Sequence, residues 1–383
     1  MSFPQRAPDQ PTSPSTVAVA GRPPSNPHAR RRHPSDGRSY RFWRQIWRVG
    51  PLAVLIPWLG FVAAQPSPRH YVDMEYVPQV GKVLVFGGYD SGFDLSGAAD
   101  AMWWWDPSDG SWTEGNLEGG PSSRGGAAIA VHAPTGMVLV FGGASGPRMN
   151  SVRELPETWL YDPIADAWES LEFPMSERPL RGVGEALAYH AGADVFVLFG
   201  GMSLGSGALF ADTWHFDLES KTWSKQETVN APDGRNYVGF DYHPGVDRMV
   251  MYGSPDYVND FHAYIYDPAS ATWTEASSGP EGGNPDHYSR LVFDHDSGKL
   301  VRFGGTGGHA RQVWTYDPVT DAWSELVVEG TGPSRLSRHG MTSVPGVGIV
   351  VFGGTTGTSP TVTANLTSEL WVLDVVAGRW ERR

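Results

Sequence analysis

The residues best placed to do chemistry in this sequence are basic ones that recur shortly after a proline. They are Arg69 after Pro66, Arg124 after Pro121, Arg181 after Pro179, Arg235 after Pro232, His287 after Pro285 and Arg335 after Pro333. From Arg124 onward they lie 12, 13, 12, 14 and 12 residues beyond a tryptophan. Arg290 and Arg338 compete for the last two places. A guanidinium is a planar fork of donors that matches a carboxylate or sulfate. Basic groups held at one place in a repeat would therefore suit an anionic ligand. The competing reading is that they bind backbone carbonyls and acidic loops of their neighbours.

Two further sets deserve a role or a dismissal. The segments after paired glycines vary in length, as binding loops do. They offer Asp90 and Phe93, Arg148, Tyr257, and His309 with Arg311. The triplet Asn365-Leu366-Thr367 in the last of these segments is a glycosylation acceptor only in a eukaryotic secretory pathway. His132, His190, His243 and His295 also recur. They precede turn-forming pairs, which favours local backbone bonding over a metal site. The chain has no cysteine, so disulfides, thiolate metal sites and cysteine nucleophiles are excluded. No phosphate loop or HExxH run is present. No catalytic residue, metal or cofactor is assigned.

These candidates are positioned by a repeat. Glycine pairs, or Gly253-Ser254 in their place, fall at 87–88, 142–143, 200–201, 253–254, 304–305 and 353–354. Each is followed by an aspartate and, six residues later, by Trp112, Trp168, Trp223, Trp273, Trp323 or Trp380. An apolar run such as Val138-Leu139-Val140-Phe141 precedes each pair, and it reads as a strand buried on both faces. Asp162-Pro163 and its equivalents start turns. Each unit reads as four strands. In the second they are expected at about 127–131, 138–141, 159–161 and from 168. The repeated tryptophans are expected in the core.

A period near 50 residues with Gly-Gly and a downstream tryptophan resembles the kelch repeat, across residues 66–383. The resemblance implies an all-β, six-bladed β-propeller of the galactose oxidase central-domain type, with four antiparallel strands per blade. Blades are expected at about 69–115, 124–171, 181–226, 235–276, 287–326 and 335–383. Kelch propellers usually close by sharing strands between the chain ends. Here unit 1 has its own first strand and unit 6 its own fourth, so closure by packing alone is expected. In such propellers the arginines matching this pattern sit at the channel mouth, and some bind anions.

Charge is divided along the chain. Residues 1–64 hold nine of the 29 basic residues and only two of the 42 acidic ones. The acidic remainder argues against nucleic acid. Residues 1–40 are rich in Pro, Ser and Arg and are expected to be disordered. An Arg-rich flank and the apolar run 51–64, too short to span a membrane and ending Val62-Ala63-Ala64, fit a signal peptide cleaved after Ala64. An uncleaved anchor is the second choice, and both put the remainder outside the cytoplasm.

The expected function is therefore an exported, monomeric binding module for a protein, peptide or glycan, anionic ones included. A sugar-modifying enzyme similar to N-acetylneuraminate epimerase, and a purely structural surface protein, are the alternatives. The absence of cysteine excludes the galactose oxidase reaction, and no Glu-x3-Asp-x3-His iron motif of the specifier proteins is present.

Overall fold

The computed structural model describes residues 65–90, 102–145, 153–180, 182–253, 260–280, 287–357 and 365–383. The leader, the apolar run 51–64, Phe93, Arg148, Arg181 and Tyr257 lie outside them. No helix among the described residues is long and apolar enough to cross a membrane.

Six antiparallel sheets follow one another, each with its four strands in chain order. Their innermost strands are Asp73–Val77, Gly125–Val131, Ala186–His190, Gly239–His243, Ser289–Asp294 and Gly340–Val344. The second strands are Lys82–Phe86, Val138–Ser145, Val195–Phe199, Arg248–Tyr252, Lys299–Gly304 and Gly348–Phe352. Third strands such as Thr158–Asp162 lead through four- to six-residue turns to outer strands such as Ala167–Leu171. Blade 2 adds a short strand, Arg153–Glu154, against the end of its second. The six-bladed, four-stranded propeller expected from the repeat is the architecture observed.

Each recurring residue has a physical task. The aspartate after the third strand accepts backbone N–H groups of the turn, as Asp162 Oδ1 does from Ile164 at 2.9 Å and Ala165 at 3.0 Å. Glycine pairs are needed for contact between blades. The N–H of the second glycine donates to the next blade: Gly88 to Arg124 O at 3.0 Å, Gly201 to Arg235 O at 2.8 Å and Gly305 to Leu336 O at 2.8 Å. A Cβ on Gly87 or Gly200 would run into that same carbonyl, and both have φ near +70°. Side chains are thus excluded by space and by backbone conformation together.

The tryptophan of each blade packs on the blade before it. Ring centroids lie 6.0 Å apart for Trp168 on Phe86, 5.3 Å for Trp223 on Phe141 and 4.8 Å for Trp273 on Phe199. They lie 4.6 Å apart for Trp323 on Tyr252 and 5.1 Å for Trp380 on Phe303. Trp223, Trp273 and Trp380 are buried as expected. Trp112, Trp168 and Trp323, at the same place on their outer strands, are only half-buried.

The ring closes without exchanging a strand. Trp112 of blade 1 packs on Phe352 of blade 6 with centroids 5.1 Å apart, repeating the contact made elsewhere. Gly354 N donates to Arg69 O at 2.7 Å, and Val72, Met74, Val350 and Phe352 share one apolar cluster.

Candidate functional site

The entry to the inner strand builds the channel mouth. In every blade one residue there has left-handed backbone: Tyr71, Gly126, Gly184, Tyr237, Tyr288 and Arg338, with φ between 50° and 73°. This turns each N–H toward the preceding blade. Tyr71 N donates to Arg338 O at 2.8 Å, Gly126 N to Tyr71 O at 3.0 Å, Gly184 N to Gly126 O at 3.2 Å and Tyr237 N to Gly184 O at 2.8 Å. This belt of backbone hydrogen bonds links blades 1 to 4 at the mouth and crosses the junction between the last blade and the first.

Three tyrosines of this set fill the mouth. The Tyr71 ring lies 5.0 Å from Tyr237 and 5.7 Å from Tyr288, and its hydroxyl donates to that of Tyr288 at 3.3 Å. The Arg338 guanidinium sits 3.7 Å above the Tyr288 ring, a cation–π contact. Tyr89 braces them from the side, its hydroxyl donating to Gly125 O and Ala144 O at 3.1 Å each.

Counting back two residues from this left-handed position fixes the register of the basic residues. Arg69, Arg124 and Arg235 are equivalent, whereas blades 3 and 6 have Gly182 and Leu336 there. The three arginines are buried, and each is a clamp within its own blade. Their Nη1 atoms donate to Gly87 O at 3.4 Å, Gly142 O at 3.0 Å and Gly253 O at 3.0 Å. Their Nε atoms donate to the carbonyl two residues back, at 2.9–3.0 Å. Arg124 and Arg235 also meet Glu157 at 2.8 Å and Asp260 at 3.1 Å. Arg335 stands one residue before the register and donates to Thr306 O; His287 stands one after it, its Nε2 3.1 Å from Asn236 Oδ1. The forks are aimed at protein groups and do not form a single ring. Arg302 does similar work in blade 5, donating to Gly304 O at 2.6 Å and His309 O at 2.9 Å.

On the same face, Asp90 and His309 are half-buried and Arg311 is exposed. His132, His190 and His243 lie at the other end of the inner strands, where each reaches the next blade's turn. Their Nε2 atoms lie 2.9 Å from Asp194 Oδ1, 3.2 Å from Asp247 O and 3.2 Å from Gly298 O. His295 is exposed. Among the described residues no group of His, Asp and Glu has the geometry to hold a metal ion.

Below the tyrosines runs a cavity of about 610 Å³, lined by inner-strand residues down to Pro78, Ala133, Pro244 and Pro345. Its acidic residues, Asp73, Glu75, Glu185 and Asp241, were not among the sequence candidates; its arginine, Arg290, was the competitor of His287 in the basic pattern. Asp73 is paired with Arg290 at 3.2 Å. Asp241 accepts from Tyr242 N and, in the next blade, Phe293 N, each at 2.7 Å. Burial pushes the Asp241 carboxyl up to about 6 despite those bonds. Burial, then the charges of Asp241 and Asp73, raise Glu75 well above the usual carboxylate range. A sequence signal for them exists: Asp73, Glu75 and Asp241 interrupt otherwise apolar strands in Val72-Asp73-Met74-Glu75-Tyr76 and Phe240-Asp241-Tyr242.

Comparison with known proteins agrees with this architecture. The family model of the KLHDC2/KLHL20/DRC7 Kelch-repeats domain matches residues 187–383. Kelch domain-containing protein 3 of Homo sapiens is 25% identical over 200 residues, covering 47% of this chain and 49% of that protein. Rab9 effector protein with kelch motifs of Xenopus laevis is 24% identical over 212 residues, covering 51% of this chain and 56% of that protein. The chain spans about half the length of the curated relatives it matches.

Proposed function

The chain belongs to the kelch-repeat family, and on that footing we propose that it is a non-enzymatic interaction module, exported from the cytoplasm, that presents one face of the propeller to a protein or peptide. The observation that carries this reading is the asymmetry between the two faces. First and second strands are joined by tight turns such as 78–81, 191–194, 244–247 and 345–347. Second and third strands are joined by loops of unequal and greater length, among them 200–212, 305–312 and 353–369. Variable loops on a rigid scaffold are where recognition residues concentrate. The tyrosines give this face a solid floor. The name of the Xenopus relative, an effector of Rab9, supports a protein partner over a glycan. The basic flank and short apolar run before residue 65 support export.

The test is hydrogen exchange on the full chain with a captured partner. Protection is expected over 200–212 and 305–312 and not over 191–194 or 244–247. Leu204→Asp combined with Arg311→Asp, at two exposed loop positions, should abolish capture with no change in melting. Retention by the double variant, or protection confined to the tight turns, would contradict the reading. Sequencing of the mature N-terminus should begin just after Ala64.

A further inference from the structure

The innermost strand of each blade is an edge strand, and its outward N–H groups need acceptors. Neighbouring blades supply them. Asp73 Oδ2 accepts from Ile129 N at 3.3 Å and Asp241 Oδ2 from Phe293 N at 2.7 Å. Elsewhere neutral hydroxyls do the same work: Thr342 Oγ1 accepts from Tyr76 N at 3.1 Å, and Ser343 Oγ from His295 N at 3.4 Å. Strapping blades together therefore does not require charge. The channel nevertheless carries Asp73, Glu75, Glu185 and Asp241 against Arg290, the one arginine or lysine among its lining residues.

Position sharpens the point. Glu75 and Asp241 each stand four residues beyond the left-handed tyrosine of their blade, so they share one level of the channel. Blades 1 and 4 are opposite each other in a ring of six. At that level Ala130 and Ala188 leave space between them. Two carboxylates thus stand at one level on opposite sides of a cavity of about 610 Å³, within the range of small-molecule sites. Glu75 Oε2 accepts from Thr342 Oγ1 at 3.3 Å and Asp241 from two backbone N–H groups, which leaves each carboxylate further lone pairs for a ligand. A bare metal ion does not fit this arrangement. It needs its oxygen ligands within roughly 2.0–2.6 Å, and no acidic group among the described residues is gathered so closely. A longer cation with donors at separated points does fit. Each ammonium offers three N–H donors, and its methylenes would lie along Ile129, Leu187 and Phe293.

We propose that the central channel is a binding site for a small organic cation bearing alkylammonium groups, held between Glu75 and Asp241. This site is separate from the loop face and stands or falls independently of the function proposed there. The elevated carboxyls of Glu75 and Asp241 agree with it, since each would be stabilised by a positive partner. The groups that face them are Asp73, Glu185, Arg290 and His295.

Calorimetric titration of the full chain with spermidine tests this. Saturable binding is expected at pH 7.5, weaker by about tenfold at pH 5, where the Asp241 carboxyl, raised to about 6, holds its proton. Glu75→Gln and Asp241→Asn keep shape and should each weaken binding by about tenfold. Ala188→Leu narrows the cavity without altering charge and should weaken it as well. A trilysine peptide run in parallel separates a free amine from a partner's side chain, and saturation by either, lost in the variants, supports the site. Absence of saturation by both probes at millimolar concentration would overturn it. So would binding unchanged by Glu75→Gln and Asp241→Asn in proteins of native circular dichroism, because attraction to surface acids would then explain the heat.

Discussion

Replacing Trp273 by alanine should destabilise the propeller far more than the same change at Trp168, although the two occupy the same place in the repeat. Trp273 is fully buried. It touches Phe199 of the preceding blade and Tyr266 of its own, each with centroids 4.8 Å apart, and its Nε1 donates to Thr213 Oγ1 at 3.1 Å. Burying a whole tryptophan removes roughly 150–250 Å² from water, worth about 4–6 kcal/mol at about 25 cal/mol/Å². Truncation of such a residue costs about 3–5 kcal/mol. Trp168 is half-buried and donates to Asn116 O at an exposed site, so about half that cost is expected. The difference of about 2 kcal/mol is readable as a gap of about 4 °C in melting temperature for a domain of this size. Far-UV circular dichroism is the assay, since fluorescence would report the lost tryptophan itself. A cycle with Phe199→Ala should show coupling of about 0.5–1.5 kcal/mol with Trp273→Ala. Equal losses at the two tryptophans, or no coupling to Phe199, would refute the claim that this residue joins one blade to the next.

Other consequences follow from the same geometry. Gly200→Ala places a Cβ against the Arg235 carbonyl and should cost roughly 2 kcal/mol or more, whereas Gly207→Ala, with similar φ but open space, should cost only about 1 kcal/mol; urea denaturation would separate them. Arg235→Ala removes the clamp and leaves Asp260, only 16% exposed, without its cation. It should cost about 3–5 kcal/mol, with little rescue by lysine, whose single ammonium cannot reproduce the fork. For Asp241 the folded pKa is raised above the unfolded value, so the stability it contributes is fully present below pH 4 and is lost as pH rises through about 6. Thermal melts between pH 4 and 7.5 should accordingly show a smaller decline for Asp241→Asn than for the parent. Glu157 behaves oppositely. Burial raises its carboxyl, but bonds from Arg124 and Trp159 outweigh that and hold it below the usual range, so its contribution is present above the ordinary value of 4.5 and is lost as pH falls through the lowered one.

The repeat made the blades legible because each signal has a backbone cause that recurs six times. Gly87 and Gly200 are fixed by a carbonyl in the next blade, and Asp162 by the N–H groups of its turn. Such local requirements leave the same residue at the same spacing. The basic pattern was harder to read, since proline-to-basic spacing drifts by one or two residues while the chain direction does not. Only the left-handed backbone at Tyr71, Tyr237, Tyr288 and Arg338 shows which arginines are equivalent, and sequence does not display φ. The channel carboxylates were missed for a different reason. An acid stands at the Asp73 position in one blade and at the Glu75 and Asp241 position in two, and a search for what repeats six times passes over both. Their signal was an acidic residue within an apolar strand, which is costly to bury unless something answers it.

Ring closure explains why the scaffold can tolerate those costs. A shared strand would bind the chain ends through one sheet. Here three separate layers join blade 6 to blade 1. The belt crosses from Arg338 O to Tyr71 N at the mouth, Thr342 straps Tyr76 N within the channel, and Trp112 lies on Phe352 further out. The layers span the radius of the blade, so a tilt of one blade on the other strains all of them together. Equivalent layers join blades 1 and 2, in Gly126 N to Tyr71 O, Asp73 to Ile129 N and Trp168 on Phe86. The terminal junction is therefore built on the same plan as a junction within the chain. Closure of this kind leaves no weak seam between the chain ends at which a buried carboxylate would force the ring open, and the inner strands are free to carry charge into the channel.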